Sequence, residues 1–144
     1  MIINNEILTA LIHCNYKAYL KGLNSQSLKT DFENVIDELR NIKKQNYIDK
    51  NSIKQEFKGQ LFKDKNHYEV NQIYIDTVFS KNKINIKVDG LYFDEKKMCL
   101  ILISPLEKVT KLDKLTVALQ SYFIQSEFKL KIDFVKIVFG CKFW

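Results

Sequence analysis

The six consecutive apolar residues from Met98 to Ile103 constrain this chain more than any other feature. A run of that length with no polar break fits a strand buried on both faces, and Pro105 closes it. Such a strand needs packed layers on either side of its sheet. Upstream, Lys83 to Phe93 alternates, with Ile84, Ile86 and Val88 facing away from Asn85, Lys87 and Asp89. Asp94-Glu95-Lys96-Lys97 makes the turn between these two strands. Earlier still, Tyr68 to Ser80 is rich in β-branched and aromatic residues, and its parity slip near Asn71-Gln72 predicts a bulge or loop. Downstream, an amphipathic helix is expected from Lys111 to Glu127. Its apolar face would be Leu112, Leu115, Ala118, Leu119, Tyr122 and Phe123. A last strand, Phe134 to Phe139, ends at Gly140.

Two helices precede the strands. Ile7, Leu8, Leu11, Cys14 and Ala18 share one face of a helix from about Asn5 to Leu20, which Gly22 terminates. The second starts at Asp31, a good N-cap type, and runs to about Gln45 with the stripe Phe32, Val35, Ile36, Leu39 and Ile42. From Asn46 to Asn66 the chain is polar and weakly patterned, so this is the segment expected to be mobile, with a short helix around Ser52 to Phe57. The order α-α-β-β-β-α-β has one crossover helix between strands of a mixed sheet, which is an α/β or α+β arrangement. A length of 144 residues suits one domain, and 46% hydrophobic content is enough for a core.

The net charge of +6 is compatible with phosphate contacts. Of 23 basic residues, however, only Arg40 is an arginine, and Asn, Ile and Lys are all abundant. An AT-rich coding bias acting on solvated positions yields that composition without any partner. The densest stretch, Lys43 to Lys65, is therefore read first as a solvated lysine-rich face and second as a phosphate-contacting patch. Cys14, Cys99 and Cys141 are odd in number and contain no C-x-x-C pair, which argues against zinc or a four-thiolate iron–sulfur cluster. His13 and His67 fall in no metal-binding spacing. No stretch reaches the roughly 18 apolar residues of a membrane span, and the opening residues lack a secretory signal, so a cytoplasmic protein with no membrane partner is expected.

Element order and three short motifs, Cys14 to Leu20, Val88 to Leu91 and Leu119 to Tyr122, together resemble the RecB-like branch of the PD-(D/E)XK nucleases, whose restriction-endonuclease-like core is α-β-β-β-α-β. Cys14-Asn15-Tyr16-Lys17-Ala18-Tyr19-Leu20 is similar to the C-P-R-K-x-Y-L signature, with Asn15 and Tyr16 in place of Pro and Arg. Val88-Asp89-Gly90-Leu91 is similar to the strand that carries the metal-binding Asp. Leu119-Gln120-Ser121-Tyr122 is akin to the family's Gln-Leu-x-x-Tyr motif with altered spacing. The remaining motif, Glu-x-Lys on the next strand, is absent: Met98 to Ser104 holds neither carboxylate nor lysine. The run from Ile103-Ser104-Pro105 to Leu115 instead resembles a degenerate form found at the amino end of large helicase-like proteins.

Phosphodiester hydrolysis of this kind needs Mg²⁺ held by carboxylates, with a lysine nearby. Glu95-Lys96-Lys97 spells Glu-x-Lys, but in a charged turn. Glu107-Lys108 follows Pro105 and would have to swing back toward Asp89. Without such partners Asp89 is the kind of residue that serves in a bulge or turn, bonded to backbone amides. The resemblance therefore implies a catalytically degenerate domain that binds nucleic acid or acts as a scaffold in DNA processing or defence. Lys17, Lys43, Lys44, Lys54, Lys58 and Gln120 are its candidate nucleic-acid contacts. DNA and a helicase module of the same or another chain are its candidate partners, and the 144 residues are expected to be the amino-terminal part of a longer protein. One alternative is a Mg²⁺-dependent DNA nuclease with a migrated site of Asp89, Glu107 and Lys108. Another is a protein-interaction domain, marked by an apolar patch around Phe139, Phe143 and Trp144. No cofactor is expected unless the site is active.

Overall fold

The structure, a computed structural model, describes residues 2–13, 31–95 and 97–140. Lys17, the motif from Cys14 to Leu20, Phe143 and Trp144 lie outside them. Among the described residues the fold is mixed α/β, with a five-stranded mixed sheet and three helices. In chain order these are β1 (Ile3–Asn4), α1 (Asn5–His13), α2 (Asp31–Lys50), β2 (Ile73–Lys81), β3 (Ile84–Asp94), β4 (Lys97–Ile103), α3 (Lys111–Phe128) and β5 (Phe134–Val138). None of the described helices is long and apolar enough to cross a membrane.

β2, β3 and β4 form an antiparallel meander, and α3 carries the chain across so that β5 lies parallel to β4. Short β1 was not anticipated. It pairs in parallel with the start of β3, on the same edge that β4 uses further along. Where β1 and β4 part, Asn5 takes over: its side-chain amide donates to Lys87 O and its Oδ1 accepts from Lys87 N.

α1 and α3 pack together on one face of the sheet. That face holds Ile84, Ile86, Val88, Leu91 and Phe93 of β3, whose parity shifts between Val88 and Leu91, and Met98, Leu100 and Leu102 of β4, which alternate. The register of α3 differs from expectation. Its buried residues are Asp113, Val117, Gln120 and Ile124, while Leu115 and Tyr122 are exposed. The helix is rotated because its first turn is fixed by a capping box. Thr110 and Asp113 cap each other, and Asp113 also accepts from the fully buried Ser104 hydroxyl, which draws position 113 inward.

α2 covers the other face only at its carboxyl end. Tyr47 and Ile48 join Ile53, Ile75, Ile101 and Ile103 in a second, smaller core. The predicted stripe is not a core face. Phe32, Val35, Leu39 and Ile42 are all exposed, and the helix runs five residues beyond Gln45 to Lys50. Burial of Tyr47 and Ile48 extends it, because those two residues are the ones the sheet can reach.

The polar segment that follows, expected to be mobile, makes contacts with the sheet. Lys58 and Leu61 bridge to Ile75 and Val78 at the outer edge of β2, and Phe62 stacks on Phe79 with ring centroids 4.5 Å apart. One 3₁₀ turn, Gln55–Phe57, falls within the expected short helix. β2 starts at Ile73, later than expected, since Asn71 has a left-handed backbone (φ 61°) that forms the predicted loop.

Candidate functional site

The two central strands break their alternation at the same place. In β2, Tyr74 and Phe79 belong to the α1/α3 core but Ile75 to the α2 core, and Asp76 between them is left-handed, with φ 53°. In β3, Val88 and Leu91 both point to the α1/α3 side, leaving Asp89 and Gly90 as successive residues on the α2 side. The pairs Thr77↔Val88 and Ile75↔Gly90 flank the break, so Asp76 and Asp89 stand opposite each other. Asp tolerates a left-handed backbone better than most residues, at a cost of order 1 kcal/mol. Gly90 is required by a close approach: a Cβ there would lie 2.9 Å from Ile101 Cβ.

The double kink aims two carboxylates at α2, which answers with Lys44. The Lys44 ammonium lies 2.7 Å from Asp76 Oδ1 and 2.9 Å from Asp89 Oδ1. The other oxygen of Asp89 accepts a hydrogen bond of 2.8 Å from Ile103 N, filling the gap where β3 and β4 begin to separate. Burial opposes the charge on Lys44. The attraction of Asp89, with the hydrogen bonds to Asp76 and Asp89, outweighs it and holds the ammonium pKa above its ordinary 10.5. Lys44 is therefore the internal counter-ion of two acids and a clamp between α2 and the sheet.

Beside this triad a polar cleft of about 620 Å³ opens between α2 and the first half of β3. Arg40, Asn41 and Lys44 line it from the helix, and Asn85, Lys87 and Asp89 from the strand. Asn4, Asn5 and Glu6 close its end at the start of α1. Its charged lining is mixed, with Arg40, Lys44 and Lys87 as cations and Glu6, Asp37 and Asp89 as acids. Arg40 Nε is a buried donor with no partner among the described residues.

The residues expected from sequence are dispersed by comparison. Asp89 is in the triad and Lys44 joins it, but as a counter-ion rather than a free phosphate contact. Lys43 is half-buried beside it and donates to Leu106 O at 3.1 Å. Lys54 is exposed and Lys58 half-buried on the segment that edges β2. Gln120 is only 4% exposed on the inner face of α3, so it is no surface contact in this fold. Glu107 and Lys108 are exposed in the loop before α3, and among the described residues neither side chain bonds to Asp89.

Asp76 was missed. The only signal available was a lone acid in a strand rich in β-branched and aromatic residues. Arg40, the single arginine, was noticed only as a count.

A divalent ion fits this arrangement poorly. Both Asp89 oxygens are committed, the Asp76 oxygen is bonded to Lys44, and the ammonium stands between the carboxylates where a cation would have to lie. Among the described residues no group of three or more His, Cys, Asp or Glu side chains could hold a metal. Comparison with family models, curated proteins and solved structures returns no match to this chain.

Proposed function

We propose that this chain is a catalytically degenerate domain with a restriction-endonuclease-like core of the RecB-like kind, binding nucleic acid through the basic side chains of α2 and the adjoining cleft. The observation that carries the reading is the state of Asp89. Its carboxylate is bonded to the main chain of β4 and to Lys44, while β4 presents Ile101 and Ile103 on the side where an acid and a lysine would be needed. Supporting it are the β2-β3-β4 meander, the α3 crossover and the parallel β5, an order that the resemblance predicts. Binding rather than cutting is further supported by the net charge of +6 and by Arg40 in the cleft, whose Nη1 lies 4.0 Å from Asp37 Oδ1 and whose Nε has no hydrogen-bond partner among the described residues.

Fluorescence anisotropy with labelled single- and double-stranded DNA tests the reading across a salt series. Binding should weaken steeply as salt rises, and each lysine that contacts phosphate should reduce the log–log slope by about 0.7 to 0.9 when changed to alanine. Lys43→Ala and Lys54→Ala are the variants of choice, since neither side chain belongs to the triad. Incubation with Mg²⁺ or Mn²⁺ should leave the DNA intact. Absence of binding at low salt sinks the reading, as does metal-dependent cleavage that disappears in Asp89→Asn.

A further inference from the structure

The two outer edges of the sheet are treated differently. The outer edge of β2 is covered by the chain itself, through the bridges of Lys58 and Leu61. The outer edge of β5 pairs with nothing among the described residues, its one neighbour being β4. A strand left in this way presents unpaired N–H and C=O groups that can accept a further strand. β5 is also apolar on both sides: Phe134 (52% exposed) faces the α2 side and Val135 (42%) the α3 side, and Phe139 (52%) follows.

Lysines predominate along this edge. Lys129, Lys131 and Lys136 are exposed on and just before β5, and Lys97 lies over the Phe134 ring at 5.4 Å. The one carboxylate of that stretch, Asp133, is turned inward, accepting from Met98 N at 3.0 Å and pairing with Lys131. Exposed acids nearby are Asp94 and Glu95 at the β3–β4 turn, one strand further in, and Glu107, whose main chain lies against Gly140 past the end of β5. A second copy of this chain is a poor occupant, because antiparallel pairing of two β5 strands brings like lysines together.

We propose that β5 is a docking edge for an extended, acidic segment of a partner protein, which adds to the sheet as a sixth strand. Main-chain bonds along β5 supply the affinity, Lys131 and Lys136 select carboxylates, and Phe134 and Val135 receive the apolar side chains between them.

Lysines on an edge are also a common guard against unwanted pairing, and a direct test separates guard from dock. The probe is the capped heptapeptide Val-Glu-Val-Glu-Val-Glu-Val, titrated into the full chain and followed by backbone-amide NMR. Three results are expected. Shifts and slowed amide exchange should be confined to β5 and its flanks. The affinity should fall about fivefold in Lys136→Glu or Lys131→Glu, both exposed positions. N-methylation of alternate peptide nitrogens, which blocks strand pairing, should abolish binding. The proposal is overturned by no binding at peptide concentrations up to about 1 mM. It is equally overturned if the lysine-for-glutamate peptide binds as well, or if β5 amides exchange as slowly as those of β4 before any peptide is added.

Discussion

The two faces of the sheet are built on opposite terms. Under α1 and α3 the interior is dry and continuous, from Ile84 through Phe93 and across to an aromatic group of Phe62, Tyr68, Tyr74, Phe79 and Phe128. Under α2 a small apolar core occupies only one end, and the rest is a charged triad beside a polar cleft. Apolar burial is non-directional and stabilises at about 25 cal/mol per Å². A half-buried ion pair gives back much of its attraction in desolvation and so adds less stability, but it fixes geometry. The first face holds the fold together. The second positions side chains, at some cost, and that is where the proposed binding site lies.

Breaking the dry face should have the larger effect. Phe79 is fully buried, stacks on Phe62 and meets Phe128 edge-on at 5.4 Å. Phe79→Ala should cost about 3–5 kcal/mol in urea unfolding, a large fraction of the stability of a domain. If that variant unfolds at the wild-type midpoint, the contrast between the faces is wrong.

The triad should respond less to truncation and more to which partner is removed. Lys44→Met leaves two opposed, half-buried carboxylates without their counter-ion, and should destabilise by about 2–3 kcal/mol. Adding Asp76→Asn removes that repulsion and leaves one unpaired carboxylate, so the double variant should recover a good part of the loss. A double variant no more stable than Lys44→Met alone would mean that packing of the lysine stem, not charge, is what the site needs.

Alkaline titration separates the faces with the smallest signal. Tyr68, in the aromatic group, has its phenol pushed up to about 12, chiefly by burial, so its contribution is intact below pH 10 and is lost as pH rises from 10 toward 12. Lys44 is also raised, from 10.5, and its contribution persists below that value and disappears above it as the ammonium deprotonates in the fold. Thermal midpoints between pH 9 and 12 should fall in both the wild type and Lys44→Met, less steeply in the variant. Identical slopes would show that Lys44 is not held charged by its two acids.

What was legible in the sequence follows the same division. Strands β3 and β4 and the helix Lys111–Phe128 were readable because their patterns come from burial of a whole face, and β5 because its β-branched and aromatic run ends at a glycine. The start of α3 carried a further local sign, Thr-x-x-Asp, that was overlooked and that sets its rotation. The α2 stripe misled for a physical reason. Phe32, Val35, Leu39 and Ile42 have helical spacing, which specifies that they share a side of the helix but not that anything lies against it. Asp89 was recognisable from Val-Asp-Gly, whereas Asp76 and Lys44, 13 and 45 positions away, carried no motif to join them to it.

The chain by itself determined the order of the elements, the doubly covered strand at Met98 to Ile103, and the absence of a carboxylate from that strand. Those properties are local or periodic, and the physics of burial writes them directly into residue type. Tertiary structure alone decided which acid faces Asp89, which lysine neutralises both, and which edge of the sheet stays open. Each of these depends on strand register, on a left-handed Asp76 and on where α2 lands, and such long-range placements emerge only when distant segments compete for the same surface.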